Sequence, residues 1–88
     1  MDPEDFETNF NIGVLYYEHR KNYEQAIHHI KLAIAEEPNV TAFFNLGVIY
    51  EEQGNRTEAL KAYQQVLKLD SSHYKAKVNL AIILEKEG

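Results

Sequence analysis

With 88 residues and no cysteine, the chain predicts one small domain without disulfides or thiolate metal sites. Its formal net charge of −5 and the lack of a basic stripe argue against nucleic acid as a partner. No apolar stretch reaches about 18 residues and the acidic start does not resemble a signal peptide, so we expect no membrane insertion and an intracellular, cytoplasmic location.

Capping and breaking residues divide the chain into five predicted helices. Asn22, Asn39 and Asn55 stand where an asparagine side chain caps the first turn of the second, third and fourth helices. Gly54 supplies the left-handed residue that ends the third helix, and Pro38 ends the second helix before it. The predicted helices run from Asp2-Pro3 to about His19, from Tyr23 to the break at Glu37, from Val40 to Gln53, from Arg56 to the turn at Asp70, and from about His73 to Glu87.

The chain nearly repeats itself every 34 residues. Asn11-Ile12-Gly13-Val14 returns as Asn45-Leu46-Gly47-Val48 and again as Asn79-Leu80-Ala81-Ile82. A fixed period in this range is typical of stacked repeat proteins. Ala26 follows Tyr16 by ten positions, whereas Ala59 follows Tyr50 by nine. We therefore expect the first turn to be distorted or longer than the second.

Apolar residues at helical spacing predict how the helices pack. The second and fourth helices carry them at the same five offsets, at Ala26, Ile27, Ile30, Ala33 and Ile34, and at Ala59, Leu60, Tyr63, Val66 and Leu67. Short turns make successive helices antiparallel. A glycine inside a helix costs about 0.5–1 kcal/mol relative to alanine, so Gly13 and Gly47 need a packing reason. We expect Gly47 to contact Ala59, and a more adjustable pair at Gly13 because of the extra residue.

The middle unit follows a known pattern. Phe43-x-x-Leu46-Gly47-x-x-Tyr50 is followed by Ala59-x-x-x-Tyr63, which resembles the tetratricopeptide repeat. The first unit carries Ile12-Gly13-x-x-Tyr16, Ala26-x-x-x-Ile30, Ala33 and Pro38, and the third carries Leu80-Ala81-x-x-Leu84. The chain departs from the pattern at Asn9, in place of an aromatic residue, and at Ser71, in place of a proline.

The resemblance implies an all-α fold in which antiparallel helix-turn-helix repeats stack as an α-solenoid of five helices. We expect a single domain over 1–88, with repeat 1 at about 6–39, repeat 2 at about 40–72 and a half repeat at 73–88. Proteins of this family hold a peptide or protein segment in a concave groove lined by the first helix of each unit. The resemblance therefore implies a protein–protein interaction module without a cofactor, and not an enzyme.

The groove residues implied by the resemblance lie on the first, third and fifth helices. A side-chain amide both donates and accepts hydrogen bonds, so one asparagine per unit can form a ladder along a peptide backbone or, alternatively, bond within the scaffold. The predicted peptide-binding residues are Asn11, Asn45, Asn79, Phe10, Phe44, Val14, Val48, Ile82 and Lys75. Lys75 and Asn45 occupy clamp-like positions for an acidic tail, but the family's other clamp residues are absent, so such a tail is not expected.

Acidic residues near the ends of these helices favour lysine or arginine in a ligand. They are Glu18, Glu51, Glu52 and Glu85. No catalytic or metal site is predicted, because the adjacent His28 and His29 point about 100° apart on a helix and cannot chelate one ion together.

An apolar run on the fifth helix supports an alternative function. Leu80, Ile83 and Leu84 would then mediate self-association, as a homo-oligomer formed through the C-terminal helix. In this alternative the chain is a structural or self-associating fragment of a longer superhelix, or an engineered repeat array.

Overall fold

The computed structural model describes residues 5–87, and five α-helices lie within this range. They are α1 (Phe6–Leu15), α2 (Tyr23–Glu36), α3 (Val40–Gln53), α4 (Arg56–Leu69) and α5 (Tyr74–Glu87), and a π-helical turn, Tyr16–Arg20, continues α1. The predicted bounds of α2 to α5 are confirmed to within about one residue. The predicted start at Asp2-Pro3 lies outside the described residues. Within them, α1 begins at Phe6 behind Asp5, whose side chain accepts a hydrogen bond from the Thr8 N–H.

Local capping explains why these helices begin and end where they do. The side-chain oxygens of Asn22, Asn39 and Asn55 each accept a hydrogen bond of 3.0–3.2 Å from the backbone N–H three residues later. Such caps contribute about 0.5–2 kcal/mol each. Gly54 ends α3 with a φ of 84°, in the left-handed region that glycine adopts at low cost. All four predicted caps are therefore confirmed.

The helices form successive antiparallel pairs. α1 packs against α2 and α3 against α4, while α2 also contacts α3 and α4 contacts α5. The predicted α-solenoid is confirmed. Its Cα atoms extend over 44 × 26 × 16 Å, and the short dimension fits two layers of helices about 8–10 Å apart.

The core follows the predicted apolar faces of the second helix in each pair. On α2 and α4, the first, third and fourth of the five predicted positions are fully buried, whereas the other two are half-buried. Small side chains let the helices approach, and Tyr63 is the largest fully buried residue. The buried apolar cluster consists of Ala26, Ile30, Ala42, Leu46, Ile49, Tyr50, Ala59, Ala62, Tyr63, Val66, Ala76 and Ile83.

The two helical glycines lie at close contacts between paired helices. A Cβ added at Gly47 would lie 2.5 Å from Cε1 of Tyr63, so the nearest neighbour is this ring rather than the predicted Ala59. A Cβ at Gly13 would lie 2.7 Å from Cγ1 of Ile30 and 3.0 Å from the carbonyl oxygen of Ala26. The second of these atoms belongs to the backbone, which argues against the milder effect of substitution expected at Gly13.

The extra residue of the first turn is accommodated by the π-helical turn. In a π-helix each backbone hydrogen bond spans one residue more than in an α-helix. The turn ends at Lys21, which has a left-handed φ of 50° and donates its N–H to the carbonyl of Tyr16. Lys21 therefore takes the part that Gly54 plays at the end of α3, and the predicted distortion of this turn is confirmed.

Candidate functional site

A cavity between α1 and α3 brings three of the predicted groove residues together. Val14 and Val48, which are 34 positions apart, face the same space as the side chain of Asn45. We call this space the α1–α3 cavity. It has a volume of about 270 Å³ and is lined by Val14, Tyr17, Glu18, Ile30, Asn45, Val48 and Ile49.

The α1–α3 cavity has an apolar floor and a polar rim. Ile30 and Ile49 are 0% and 1% exposed, whereas Glu18 is exposed at the edge. The sequence analysis missed Tyr17, Ile30 and Ile49 as lining residues. The 34-residue period contains a signal for the first of them, because Tyr17 stands one period before the predicted groove residue Glu51.

The three equivalent asparagines have three different environments. Asn45 is half-buried in the α1–α3 cavity. Asn11 is exposed and lines a separate cavity of about 440 Å³ on the outer side of α1. Asn79 donates a hydrogen bond of 3.2 Å to the hydroxyl of Tyr63. The amides therefore do not meet in one cavity, and that of Asn79 already bonds within the scaffold.

The predicted groove aromatics pack partly against the scaffold. The ring of Phe44 lies 5.7 Å from that of Tyr63 and 5.0 Å from that of His73, measured between centroids. Phe10 stacks on Phe6 at 5.6 Å. Both predicted aromatics are half-buried, so each offers only part of its surface to a ligand.

The predicted groove residues of α5 lie apart from the α1–α3 cavity. Ile82 is 43% exposed, and Lys75 is also exposed. Neither residue lines the cavity, so they can contact a ligand only if it extends along the groove to α5.

Two of the predicted acidic residues are engaged by hydrogen bonds within the protein. Glu51 accepts a hydrogen bond of 2.5 Å from the hydroxyl of Tyr63. Glu52 accepts hydrogen bonds from the hydroxyls of Tyr17 and Tyr23, and the Lys21 ammonium lies 4.0 Å away. Within residues 5–87, neither Glu18 nor Glu85 forms an ion pair of 4.0 Å or less.

These bonds shift the pKa of both tyrosines. The hydrogen bond to Glu52, together with burial, raises the pKa of Tyr17 to about 12. Burial, followed by the hydrogen bond to Glu51, raises the pKa of Tyr63 well above its ordinary value. Both hydroxyls therefore stay protonated at neutral pH and act as donors, which leaves no phenolate for acid–base chemistry.

Comparison with known proteins agrees with this geometry. Residues 40–73 match the family model of the tetratricopeptide repeat. These residues therefore form a tetratricopeptide repeat. The five helices of the chain fit about two and a half repeats, and tetratricopeptide repeats are generally protein–protein interaction modules without catalytic activity. No curated protein matches the chain at a significant level.

The half repeat at α5 exposes a different strip from the one predicted for self-association. Ile83 is 1% exposed and lies in the core, and Leu80 packs half-buried against it, whereas Leu84 is 53% exposed. Ile83 is therefore wrong as a surface residue, because α5 turns this side toward the preceding helices. The exposed strip, which we call the outer α5 face, consists of Tyr74, Lys77, Ala81 and Leu84.

A polar contact replaces the missing aromatic residue of the first repeat. Asn9, which is 2% exposed, places its Oδ1 3.1 Å from Nδ1 of His29. The His29 ring stacks on Tyr16 at 5.7 Å. Burial, with a smaller contribution from neighbouring His28, lowers the pKa of His29. Within residues 5–87, no cluster of three or more potential metal ligands occurs, and none of the helices is long and apolar enough to span a membrane.

Proposed function

We propose that this chain binds an extended peptide or protein segment along the groove of α1, α3 and α5, as a tetratricopeptide repeat module. The observation that carries the proposal is the α1–α3 cavity, which the equivalent valines of two repeats line together with one asparagine. Apolar walls with a few placed polar groups are typical of binding sites. The module holds its partner without transforming it.

Asn45 would fix the ligand backbone. Its amide can donate to a peptide carbonyl and accept from a peptide N–H, whatever the ligand side chains are. Asn79 would extend this ladder toward α5, where Lys75 and Ile82 would contact the segment, whereas Asn11 lies on the outer side of α1 and would not take part. The exposed edges of Phe10 and Phe44 would add apolar contact area.

Replacing Asn45 by alanine tests this function. A library of randomised twelve-residue peptides is panned against the 88-residue chain, and the dissociation constants of the selected peptides are measured by isothermal titration calorimetry. We expect Asn45→Ala to weaken binding by about 1–3 kcal/mol, roughly 5- to 150-fold, because a ligand group is left unpaired. The matched control is Gln64→Ala, which removes an exposed amide from α4.

Nuclear magnetic resonance mapping shows where the selected peptides bind and can contradict the proposal. Peptides that perturb the amide signals of α2 and α4 but not those of Val14 and Val48 would place binding on the opposite surface. Equal effects of Asn45→Ala and Gln64→Ala would likewise contradict the proposal.

The two ends of the array favour self-association as a second function. The outer α5 face carries Leu84 and Lys77, while the outer side of α1 carries Leu15, 55% exposed, beside Asp5 and Glu7. Apolar and charged groups are thus complementary between the two ends. We propose that a second copy of the chain stacks end to end through these faces, and sedimentation velocity over a range of concentrations measures such stacking directly.

A further inference from the structure

We propose that the α1–α3 cavity takes one lysine or arginine side chain of the ligand as an anchor. The inference rests on the proposed peptide-binding function and names the ligand chemistry that the cavity selects. Three properties of the cavity carry it, namely its size, its apolar lining and its single unengaged carboxylate.

The size of the cavity suits one side chain. Its volume of about 270 Å³ falls below the range of about 300–1,000 Å³ that holds drug-sized ligands. Val14, Val48 and the buried Ile49 supply apolar lining. Lysine and arginine lay their aliphatic stems along such apolar surface while they keep the charged group near water.

The charge at the rim selects a cation. Glu18 lines the cavity and is exposed, and within residues 5–87 it has no ion pair. Glu51 and Glu52, by contrast, accept hydrogen bonds from tyrosines of the scaffold. An acidic ligand side chain would be repelled by Glu18, and a purely apolar one would cover this carboxylate without pairing it, which costs free energy.

The position of Asn45 determines how the ligand residue is oriented in the cavity. Its amide shares the cavity with Glu18 and is suited to bond the backbone on either side of the anchor. With the backbone at Asn45, the stem lies between the two valines and the cation reaches Glu18. This arrangement leaves both the amide and the carboxylate paired.

Capped single amino acids test the inference on the whole 88-residue chain. The N-acetyl methylamides of arginine, lysine, norleucine and glutamate are titrated while the backbone amide signals of Val14, Asn45 and Val48 are followed. Norleucine keeps an unbranched stem like that of lysine but lacks the charge. We expect arginine and lysine to bind up to about fivefold more tightly than norleucine, the upper end of the range measured for exposed ion pairs, and glutamate to bind least.

Glu18→Gln should bring the arginine and lysine dissociation constants to the norleucine value. Glu85→Gln is the matched control, since it removes an exposed carboxylate that does not line the cavity, and it should leave the preference intact. Equal binding of norleucine and arginine, or an unchanged preference in Glu18→Gln, would overturn the inference. If selected peptides still bind in the groove in that case, the proposed function stands without it; if neither peptides nor capped residues shift these signals, both fail.

Discussion

At the scale of single residues, local structure accommodates two polar residues that depart from the repeat pattern. Asn9 stands in an aromatic position of the repeat but is buried beside His29, with 3.1 Å between Oδ1 and Nδ1. Lys21 stands where the next repeat has Gly54 and adopts the same left-handed conformation. Each substitution leads to a prediction about the stability of the fold.

His29 should make the fold sensitive to mild acid. Burial lowers the pKa of His29 in the folded chain, whereas the unfolded chain takes up the proton near pH 6.5. The contribution of neutral His29 is thus fully present above about pH 6.5 and is lost as the pH falls below it. Urea unfolding at a series of pH values measures this effect. Below about pH 6.5, the free energy of unfolding should decline less for His29→Gln than for the wild type.

The exposed His19 provides the control for this measurement. His19→Gln removes a histidine from the π-helical turn, and it should keep the wild-type decline. If His29→Gln and His19→Gln follow the same curve, the half-buried His29 does not determine the acid sensitivity.

Lys21→Gly should stabilise the protein. A left-handed conformation costs a non-glycine residue about 1–2 kcal/mol, and part of this gain is offset by the greater freedom of glycine in the unfolded chain. We expect a net increase in the free energy of unfolding of about 0.5–1 kcal/mol. Lys21→Ala, which removes the ammonium 4.6 Å above the Tyr17 ring without relieving φ, should not stabilise.

The reciprocal change at Gly54 checks the same argument. No atom lies within 4 Å of a Cβ added there, so Gly54→Ala tests backbone conformation without steric overlap. A decrease of about 1 kcal/mol is expected, and an unchanged urea midpoint would contradict the account of both turns.

At the scale of helices, Tyr63 joins three elements of the array. Its ring packs against Gly47 of α3, and its hydroxyl donates to Glu51 of α3 and accepts from Asn79 of α5. Because the hydroxyl is held at both sides, the ring has little freedom to move when a neighbour grows.

Gly47→Leu should therefore overpack the junction of α3 and α4. The expected loss in the free energy of unfolding is about 1–3 kcal/mol or more, measured by thermal unfolding followed by circular dichroism. Gly13→Leu should cost a similar amount, since its Cβ would approach the backbone oxygen of Ala26 at 3.0 Å. Unchanged melting curves for these variants would contradict the packing roles of the two glycines.

The helix bounds could be predicted from the sequence because they depend on local signals. The capping asparagines, Gly54 and the break before Pro38 act within one turn, so the helix bounds followed from the sequence. The period then brought Val14, Asn45 and Val48 to one cavity. The sequence did not reveal that the Tyr63 ring lies nearest to Gly47, because this depends on the offset between two packed helices.

Tertiary packing also decided the groups that sequence analysis misplaced. Ile83 and Leu84 are adjacent and equally apolar, and only the contact of α5 with α4 determines which of them is buried. The sequence analysis treated Glu52 as a carboxylate available to a ligand. It did not foresee the hydrogen bond from Tyr17, because Tyr17 lies in the π-helical turn. The sequence predicted that this turn is irregular, but not where the irregularity would direct its side chains.

At the scale of the whole molecule, the array is elongated and has two different ends. Its Cα atoms extend over 44 Å in the longest direction. The outer side of α1 carries acidic groups around Leu15, and the outer α5 face carries Lys77 beside Leu84. Contacts between unlike ends generate open chains when the rotation does not close a ring.

Leu84→Glu should shift the sedimentation of concentrated samples toward the monomer. Burying such a side chain contributes about 1.5–3 kcal/mol, so its replacement by a charge should remove most of the association. Leu32→Glu, at a 41% exposed position of α2 outside both end faces, is the control.

Exchanging charges between the ends tests the head-to-tail arrangement. Lys77→Glu and Glu7→Lys should each weaken association, and the double variant should restore it. A wild-type chain that remains monomeric at high concentration would exclude the stacking.

The π-helical turn has a consequence for how duplicated units can diverge. An insertion within a helix would rotate every later side chain by about 100°. Here the added residue lies within the π-helical turn, and α2 begins with the same asparagine cap as α4. Length can therefore change at this point while the packing of the following helix is retained. A gap-free alignment of the first repeat with the second will pair the wrong residues from Lys21 onward, although α2 and α4 have equivalent roles in packing.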